Sequence, residues 1–288
     1  MSEYAKLLYK IRVHPTLWFV IGIAILTAHF VEVMMLLLIV FIHEMGHAVC
    51  AQHFKWRIKS IQLLPFGGAV ETEEYGNKSL KEDLAVVLAG PLQHVWLIGA
   101  AFLLYFFTII PYELYQPFLY MNLMLLIFNL LPIWPLDGGR LLFIGISLYC
   151  TFLEAQKHTL HFSAVFAVLT FLTWIILDPL NLNIWLIIFF ISLSLVMEWR
   201  QRYYAFIRFL LQRHYGHTND LAKLKPISVD SQEPIYKVLE LFQRGCKHPV
   251  IIMKNGKESG SLDETEILHA YFSEKMTNGK IGDLLYSY

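Results

Sequence analysis

Six stretches of almost uncharged apolar residues constrain this chain more than any other feature. The hydrocarbon core of a bilayer takes about 20 apolar residues of helix, so such stretches are typical of membrane-spanning helices. The chain of 288 residues is 56% hydrophobic and only 16% charged, which excludes a disordered chain and argues against an ordinary soluble enzyme. The predicted spans are residues 16–30, 33–50, 84–110, 118–131, 160–177 and 182–197.

The basic residues follow the asymmetry that membrane proteins show across a bilayer. Lys and Arg concentrate in loops on the cytoplasmic side. Here they precede the first predicted span and occupy every second connection after it, whereas the connections around Glu32, 111–117 and 178–183 contain none. Six spans with both termini in the cytoplasm fit this pattern. The net charge is zero, from 23 basic and 23 acidic residues, so no overall field attracts the chain to nucleic acid.

Two stretches are predicted not to be simple helices. Residues 58–71 alternate in hydropathy and carry Pro65 and the pair Gly67-Gly68, which is typical of a β-hairpin or a re-entrant loop. Residues 131–140 read LPIWPLDGGR, and their prolines and glycines must break the preceding helix. Irregular backbone at membrane depth needs protein or water around it, so both stretches predict an internal cavity that holds water.

The segment HEMGH, residues 43–47, is an HExxH pattern within the second apolar run. Residues four apart share a helix face, so two imidazoles can hold one metal ion while Glu44, about 100° around the helix, reaches a water molecule beside it. This is the chemistry of a zinc metalloprotease. A charged residue at mid-bilayer costs about 2.5 to 3.5 kcal/mol on insertion scales, which favours a functional role. The apolar residues 33–42 place the site within the membrane, toward its cytoplasmic side.

A catalytic zinc site needs a third protein ligand besides His43 and His47, with one position left open. Asp137 is the predicted third ligand, because it is acidic and lies at the broken end of an apolar helix. Gly138-Gly139 follow it and let the backbone turn and approach closely. The same sequence taken alone is also typical of an ordinary turn after a helix.

Two other side chains compete for the third ligand position. His94 lies within the third predicted span, and Glu154 lies on the polar side of a loop. Neither has a neighbouring helix break that would direct its side chain inward. Asp137 therefore remains the preferred ligand.

The last 70 residues have the composition of a water-soluble domain, since they carry 19 of the 46 charged residues. Arginine and aromatic residues at 198–217 predict an anchor at the membrane interface. Strand, turn and helix signals predict the order β-α-β-β-α for 226–272, with a turn at Asn255-Gly256 and a helix that Asp263 opens. The predicted divisions are a membrane domain at 1–200, an interfacial linker at 201–218 and a soluble domain at 219–288.

HEMGH in a spanning helix, followed later by the segment NLLPIWPLDG at 129–138, resembles the site-2 proteases, which are intramembrane zinc metalloproteases. The tail sequence HPVIIMKNGKESGSLDETEIL resembles one CBS repeat, as in the branch of that family with a C-terminal CBS domain. The resemblance covers essentially the whole chain. The predicted fold is a polytopic α-helical membrane protein of six spans with a re-entrant β-hairpin, plus a small cytosolic α+β CBS domain.

The resemblance also implies roles for individual residues. Zn²⁺ would be held by His43, His47 and Asp137, and Glu44 would be the general base that activates the attacking water. An extended substrate would be held beside the metal. The implied substrate-binding residues are Asn129, Pro135, Phe66, Gly67 and Gly68.

Two positions depart from the family pattern. The family usually places a proline five residues after the Asn, whereas this chain has Trp134 there and the proline stands at 135. The family also tends to have Asn after the Gly-Pro of the third span, where this chain has His94. These departures bear on the substrate-binding roles more than on Asp137.

The resemblance further implies partners. The substrate would be a membrane-associated precursor of a sporulation sigma factor, and small membrane proteins would hold the protease inactive. CBS repeats normally pair, and such pairs often bind adenine nucleotides. A single repeat therefore implies a homo-oligomer and control by ATP, with a purely structural dimerisation module as the alternative.

Two other classes of function compete with the protease. A CBS-regulated zinc or cation transporter would also place histidines and acidic groups within its spans. A non-catalytic membrane scaffold would bind no metal. Glu44 distinguishes the protease from the transporter. A transporter tolerates Glu44→Gln, whereas a hydrolase loses cleavage and keeps its zinc.

Overall fold

A computed structural model describes residues 7, 9–64, 67–72, 78–216 and 223–286 of the chain. The chain divides into two compact units. The first comprises Met1–Glu74, Lys81–Pro132 and Leu136–Leu141, and the second comprises Tyr75–Leu80, Ile133–Pro135 and Leu142–Tyr288.

Helices make up most of the described chain, and strands occur near both ends. In order, the elements are β1 (Ile11–Val13), α1 (Pro15–Leu26), α2 (Phe30–His53), β2 (Ile58–Leu64), β3 (Gly67–Thr72), α3 (Leu80–Phe106), α4 (Tyr112–Asn129), α5 (Asp137–Ser147), α6 (Phe152–Leu177), α7 (Leu182–Tyr215), β4 (Ile227–Asp230), α8 (Ile235–Glu240), β5 (Val250–Lys254), β6 (Lys257–Leu262) and α9 (Glu264–Phe272). A 3₁₀ helix at Ile281–Tyr286 follows α9.

Among the described residues, four helices are long and apolar enough to cross a membrane, namely α2, α3, α6 and the Ile184–Tyr215 part of α7. Each of the six predicted apolar runs contains a helix, but the helices begin or end at other residues than predicted, and α6 and α7 are longer, at Phe152–Leu177 and Leu182–Tyr215. α1 has only 12 residues and ends at Leu26, and α4 begins at Tyr112, ahead of the predicted start at 118. The total of six spans therefore stays a prediction.

The hairpin predicted at 58–71 is confirmed. β2 and β3 pair antiparallel, with Leu64 opposite Gly67, and Gly67 has a φ of +148°, which favours glycine. Pro65 and Phe66, between the two strands, lie outside the described residues. β1 adds a third strand parallel to β2, so the sheet order is β1-β2-β3, and β3 is an edge strand among the strands that the structure describes.

In the first unit, α2 packs against β2, β3 and α4. A buried apolar cluster at the C-terminal end of α2 includes Ala48 and Ala51 of the helix together with Ile58 and Ile61 of β2. These small and branched side chains bring the hairpin close to the HExxH turn of α2.

The helix break predicted at 131–140 is also confirmed, because α4 ends at Asn129 and a new helix, α5, begins at Asp137. A Cβ at Gly138 would overlap the carbonyl oxygens of Leu130 and Leu131, so only glycine permits this close passage of the chain. Asp137 occupies the first turn of α5, where the helix dipole favours a negative charge.

In the second unit, α6 packs against α7, and a capping box fixes the start of α6. The Thr151 side chain accepts a hydrogen bond from the Glu154 amide, and the Thr151 amide donates to Glu154 Oε2. Glu154, a competing candidate for the third metal ligand, is thus engaged in capping a helix.

The elements predicted for the C-terminal part are confirmed as β4, α8, β5, β6 and α9. β4 and β5 are parallel, β5 and β6 are antiparallel, and positive φ angles of 52° and 76° at Asn255 and Gly256 make the turn between them. Asp263 forms a capping box with Glu266 at the start of α9, as predicted. The assignment of these elements to a CBS domain stays a prediction.

The described part of the predicted linker at 201–218 is mostly helical, since α7 continues to Tyr215. Near this end, the buried Arg213 guanidinium donates hydrogen bonds to Glu264 Oε1 at 2.7 Å and to the Gln243 carbonyl at 2.7 Å. Glu264 Oε2 in turn accepts the His248 amide at 3.0 Å. This closed ionic cluster joins the end of α7 to the C-terminal sheet and helices of the same unit.

Candidate metal centre

α2 supplies three of the residues predicted to carry chemistry. His43 and His47 are about one helical turn apart. Both are buried, and so is Glu44, which directly follows His43 in the sequence. The rings of the two histidines meet edge to face with centroids 4.7 Å apart. The i, i+4 spacing thus places both imidazoles on one face of the helix, as predicted.

Asp137 comes from the first turn of α5 and completes a triangle with the two imidazoles. Its Oδ2 atom lies 3.1 Å from His43 Nε2 and 3.2 Å from His47 Nε2, and the two Nε2 atoms lie 3.1 Å apart. Asp137 Oδ2 is buried and has no hydrogen-bond partner in the described part of the chain. His43 Nε2, His47 Nε2 and Asp137 Oδ2 therefore converge on one point, and hydrogen bonds among them do not satisfy the Asp137 oxygen.

These distances fit a zinc ion. With bonds of about 2.0 to 2.1 Å in tetrahedral geometry, ligand atoms lie about 3.3 Å apart, close to the spacings within this triangle. Two imidazoles and a carboxylate are donor types that zinc takes in catalytic sites. In the described ranges, His43, His47 and Asp137 are the one group of His, Cys, Asp and Glu residues positioned to hold a metal ion.

The second nitrogen of each imidazole has a partner within the first unit. His47 Nδ1 lies 2.8 Å from the Val86 carbonyl oxygen of α3. His43 Nδ1 lies 3.0 Å from His94 Nε2, and His94 Nδ1 lies 2.6 Å from Asn122 Oδ1 on α4. His94, considered from the sequence as a rival ligand, therefore contacts His43 instead of joining the triangle.

Sequence analysis missed Asn122, because nothing in the order of residues connects the middle of α4 with the HExxH turn. It also missed two glycines that let α2 and α3 approach closely. A Cβ at Gly46 would lie 2.6 Å from the Ala89 carbonyl oxygen, and one at Gly90 would lie 2.8 Å from His43 Nε2 and overlap the His47 ring. A glycine within a helix was the available signal, since it usually marks such a contact.

The edge strand β3 passes directly over Glu44. A Cβ at Gly68 would overlap the Glu44 side chain, with the Oε1 atom at 2.8 Å. Gly67, next to it, begins the strand. Of the two glycines predicted to bind substrate, Gly68 thus lies beside the predicted general base.

The remaining predicted substrate-binding residues occupy separate places. Asn129 is the last residue of α4 and is partly buried. Pro135 is exposed and follows a cis peptide bond with Trp134. Phe66 lies outside the described residues. Their roles stay predictions.

The chain is similar in sequence to known metalloproteases. The model of peptidase family M50 matches residues 31–119 and 109–172. Stage IV sporulation protein FB of Bacillus subtilis is 46% identical over 288 residues, which are 100% of both chains. A zinc metalloprotease of Methanocaldococcus jannaschii is 34% identical over 145 residues, which are 48% of this chain and 42% of that protein.

A solved structure is similar as well. The site-2 protease from Methanocaldococcus jannaschii superposes with a TM-score of 0.50 at 26% sequence identity, covering 65% of this chain and 89% of that chain. The likeness therefore extends over most of that enzyme.

Proposed function

The chain belongs to peptidase family M50, the site-2 proteases, and we propose that it cuts a membrane-associated precursor protein at the centre formed by His43, His47 and Asp137. As a member of this family it is an integral membrane protein and a zinc metalloprotease. The observation that carries the proposal is the convergence of three buried ligand atoms beside Glu44 and the edge strand β3.

His43, His47 and Asp137 would hold the zinc ion through two imidazole nitrogens and one carboxylate oxygen. Zinc bound by three such ligands acidifies a water molecule and polarises the carbonyl of the bond to be cut. A donor set of three protein atoms leaves room at the centre for that water and for the substrate.

Glu44 would transfer the protons of the reaction. Its buried carboxylate lies on the same helix as both imidazoles and against β3. A carboxylate oxygen takes the proton of the attacking water and then gives it to the nitrogen of the leaving amine. Acid–base groups positioned in this way contribute about 10² to 10⁴-fold in rate.

The substrate must be unwound before it can react, because a helix hides its carbonyl groups in hydrogen bonds four residues apart. β3 pairs with β2 along one side and is an edge strand of its sheet. An extended substrate segment that pairs with the other side of β3 would regain main-chain hydrogen bonds there. Gly68 would set this segment directly above Glu44.

The other substrate contacts are carried over from the family resemblance. Asn129 and Pro135 flank the helix break that brings Asp137 to the centre, and Phe66 precedes β3 in the chain. We propose that these three residues help to hold the extended substrate beside the metal.

Cleavage of a candidate precursor in cells tests the proposal. The parent chain, co-expressed with a membrane-anchored precursor, is expected to cut it, and Glu44→Gln is expected to abolish cleavage while zinc stays bound in an equal amount. Cleavage by Glu44→Gln at the parental rate would contradict the proposal. A cation transporter would instead tolerate Glu44→Gln and would move metal across vesicle membranes.

We further propose that the chain spans the membrane six times with both termini in the cytoplasm and the metal centre near the cytoplasmic side. The alternation of basic and neutral connections supports this orientation. Cysteine scanning with a membrane-impermeant thiol reagent tests it, and labelling of the 111–117 and 178–183 connections from the cytoplasmic side would contradict it.

We propose that the chain divides into a membrane domain at 1–200, an interfacial linker at 201–218 and a CBS-type domain at 219–288. This last domain would form a homo-oligomer and would bind ATP. A cavity of about 470 Å³ supports the nucleotide, since ligand sites are typically of this size. It is lined by Thr151, which caps α6, and by Ser228, Asp230 and Lys237. Titration of the full chain with ATP and AMP tests this proposal, and no measurable affinity for either would remove it.

A role in sporulation is proposed from the 46% identical relative, whose name is that of a stage IV sporulation protein. The substrate would then be the membrane-associated precursor of a sporulation sigma factor, and small membrane proteins would restrain the enzyme. Co-expression with that precursor, with and without the candidate inhibitors, tests both parts.

A further inference from the structure

A histidine that binds a metal through Nε2 must carry its proton on Nδ1. That proton needs an acceptor when the ring is buried, because an unpaired N–H group in a protein interior costs free energy. The acceptor therefore selects which nitrogen faces the metal. The two imidazoles of the proposed zinc site obtain their acceptors in different ways.

The acceptor for His47 belongs to the backbone. Its Nδ1 atom lies 2.8 Å from the Val86 carbonyl oxygen, and a carbonyl can only accept. His47 is thereby fixed with its proton on Nδ1 and its Nε2 lone pair toward Asp137. No side-chain substitution can remove this acceptor.

The acceptor for His43 is a side chain. His94 Nε2 lies 3.0 Å from His43 Nδ1, and it accepts the His43 proton only if His94 carries its own proton on Nδ1. That second proton needs an acceptor in turn, and Asn122 Oδ1 lies 2.6 Å away. Both His94 and Asn122 are 0% exposed, so water does not substitute for either.

We propose that His94 and Asn122 are positioning residues, which hold His43 with its proton on Nδ1 and direct its Nε2 lone pair to the zinc ion. Hydrogen-bonded chains behind ligating histidines orient the ring and raise its basicity in other metal sites. The inference rests on the proposed function, because it requires a metal at His43, His47 and Asp137.

A purely structural role explains the pair poorly. Asn122 Nδ2 is buried without a hydrogen-bond partner among the described residues, and such a group costs stability. An apolar residue of similar size at 122 would avoid that cost. The acceptor that Asn122 Oδ1 offers to His94 gives a reason for an asparagine at this position.

The affinity for zinc of the purified full-length protein, measured by competition with a chromophoric chelator, tests the proposal. His94→Leu and Asn122→Leu are expected to weaken zinc binding by about 10 to 100-fold, as loss of such supporting residues does elsewhere. Asn122→Asp is expected to keep the parental affinity, because a carboxylate only accepts and preserves the direction of the chain. His94→Gln, whose amide oxygen can accept from His43 Nδ1, is expected to restore part of it.

Substitution of zinc by Co²⁺ gives a visible absorption spectrum, which would not change if His94 and Asn122 had only a structural role. The visible absorption of the Co²⁺ protein depends on the ligand field, so His94→Leu should shift or weaken its bands while Asn122→Asp should preserve them. Leu97→Ala is the matched control, since Leu97 is a buried residue of the same helix without a hydrogen-bonding group. It is expected to leave both affinity and spectrum unchanged.

The outcomes separate this inference from the proposed function. If the parent protein binds no zinc, the proposed function fails. If the parent binds zinc and His94→Leu and Asn122→Leu bind it with parental affinity and spectrum, the positioning role is wrong. Loss of affinity in Asn122→Asp equal to that in Asn122→Leu would also overturn it, because the proton chain would then run in the opposite direction. Should His94→Leu fail to fold, Asn122→Leu and Asn122→Asp still decide the question.

Discussion

Two buried histidines, one in each compact unit, are used in opposite ways. His248 Nε2 accepts the Gln243 amide at 2.8 Å, and its Nδ1 lies 2.9 Å from the Lys225 carbonyl oxygen, so both ring nitrogens have protein partners. His43 has His94 behind its Nδ1, whereas its Nε2 faces His47 Nε2 and Asp137 Oδ2. The cluster around His248 is closed, and the cluster around His43 is open toward one point.

Unmatched polar atoms distinguish a buried cluster that binds a ligand from one that stabilises the fold. Around His248 the buried side chains of Gln243, Arg213 and Glu264 have no unmatched polar atom among the described residues, and Arg213 and Glu264 form an ion pair. At the proposed metal centre, Asp137 Oδ2 is buried without a hydrogen bond to any residue that the structure describes. A cation that receives the convergent lone pairs explains that arrangement, since burying unmatched polar atoms is costly.

The largest effect is expected from removal of a ligand at the open cluster. Asp137→Ala should weaken zinc binding by on the order of 10² to 10³-fold. The free energy of zinc binding in proteins is about 10 to 16 kcal/mol in total, and each of the few ligands contributes part of it. Chelator competition measures this. Asp178→Ala, at the end of α6, serves as the control and should bind zinc like the parent. Equal affinity in Asp137→Ala would show that the centre is not the metal site.

Breaking the closed cluster should cost stability and leave zinc unaffected. Arg213→Met leaves Glu264 buried without its partner, which typically costs about 3 to 5 kcal/mol. Hydrogen–deuterium exchange of peptides from 223–286 should report this as faster exchange, with zinc content unchanged. Arg208→Met removes an exposed arginine of the same helix and should change exchange little. Loss of zinc in Arg213→Met would mean that the two clusters are not independent.

Gly68→Ala separates catalysis from metal binding within the open cluster. The added Cβ would overlap the Glu44 side chain, and a displacement of about 1 Å at a catalytic group costs about 10²-fold in rate. Zinc affinity should stay parental. Gly99→Ala is the matched control, because a Cβ there would meet no atom within 4 Å. Gly67→Val with Gly68→Val should abolish cleavage and still retain zinc.

The smallest effect concerns pH at the closed cluster. Burial lowers the pKa of His248 below its usual value, so the folded domain resists protonation while the unfolded chain takes up a proton near pH 6.5. A group with a depressed folded pKa stabilises the fold above that pH, and the stability falls as the pH is lowered further. Exchange protection of 223–286, corrected for intrinsic rates, should decline from pH 7.5 to 5.5. His248→Gln should reduce that decline, and an unchanged pH response would contradict this role of His248.

Much of the proposed metal centre could be predicted from the sequence, because its residues stand at characteristic short spacings in the chain. HExxH places His43 and His47 on one helix face, and the prolines and glycines around Asp137 mark a break that frees its carboxylate. The hairpin and the C-terminal elements follow from turn residues such as Gly67 and Asn255. Each of these features depends on residues that are near one another in the chain.

The parts that could not be predicted depend on contacts between distant elements. Asn122 and His94 meet across two helices, and Gly90 is required only because α2 passes close to α3. β1 is three residues long, too short for a pattern of alternation to show, and it exists through its pairing with β2. α7 continues into the predicted linker, where the buried Arg213 binds Glu264. These two residues are 51 positions apart in the sequence, so no local pattern predicts their contact.

X-ray absorption at the zinc edge, recorded on the purified full-length Glu44→Gln protein, tests whether His43, His47 and Asp137 bind zinc. One zinc per chain is expected, with two imidazole nitrogens and a carboxylate oxygen at about 2.0 to 2.1 Å. A protein without zinc, or a zinc ion bound by three imidazoles or by thiolate sulfur, would contradict a centre made of His43, His47 and Asp137.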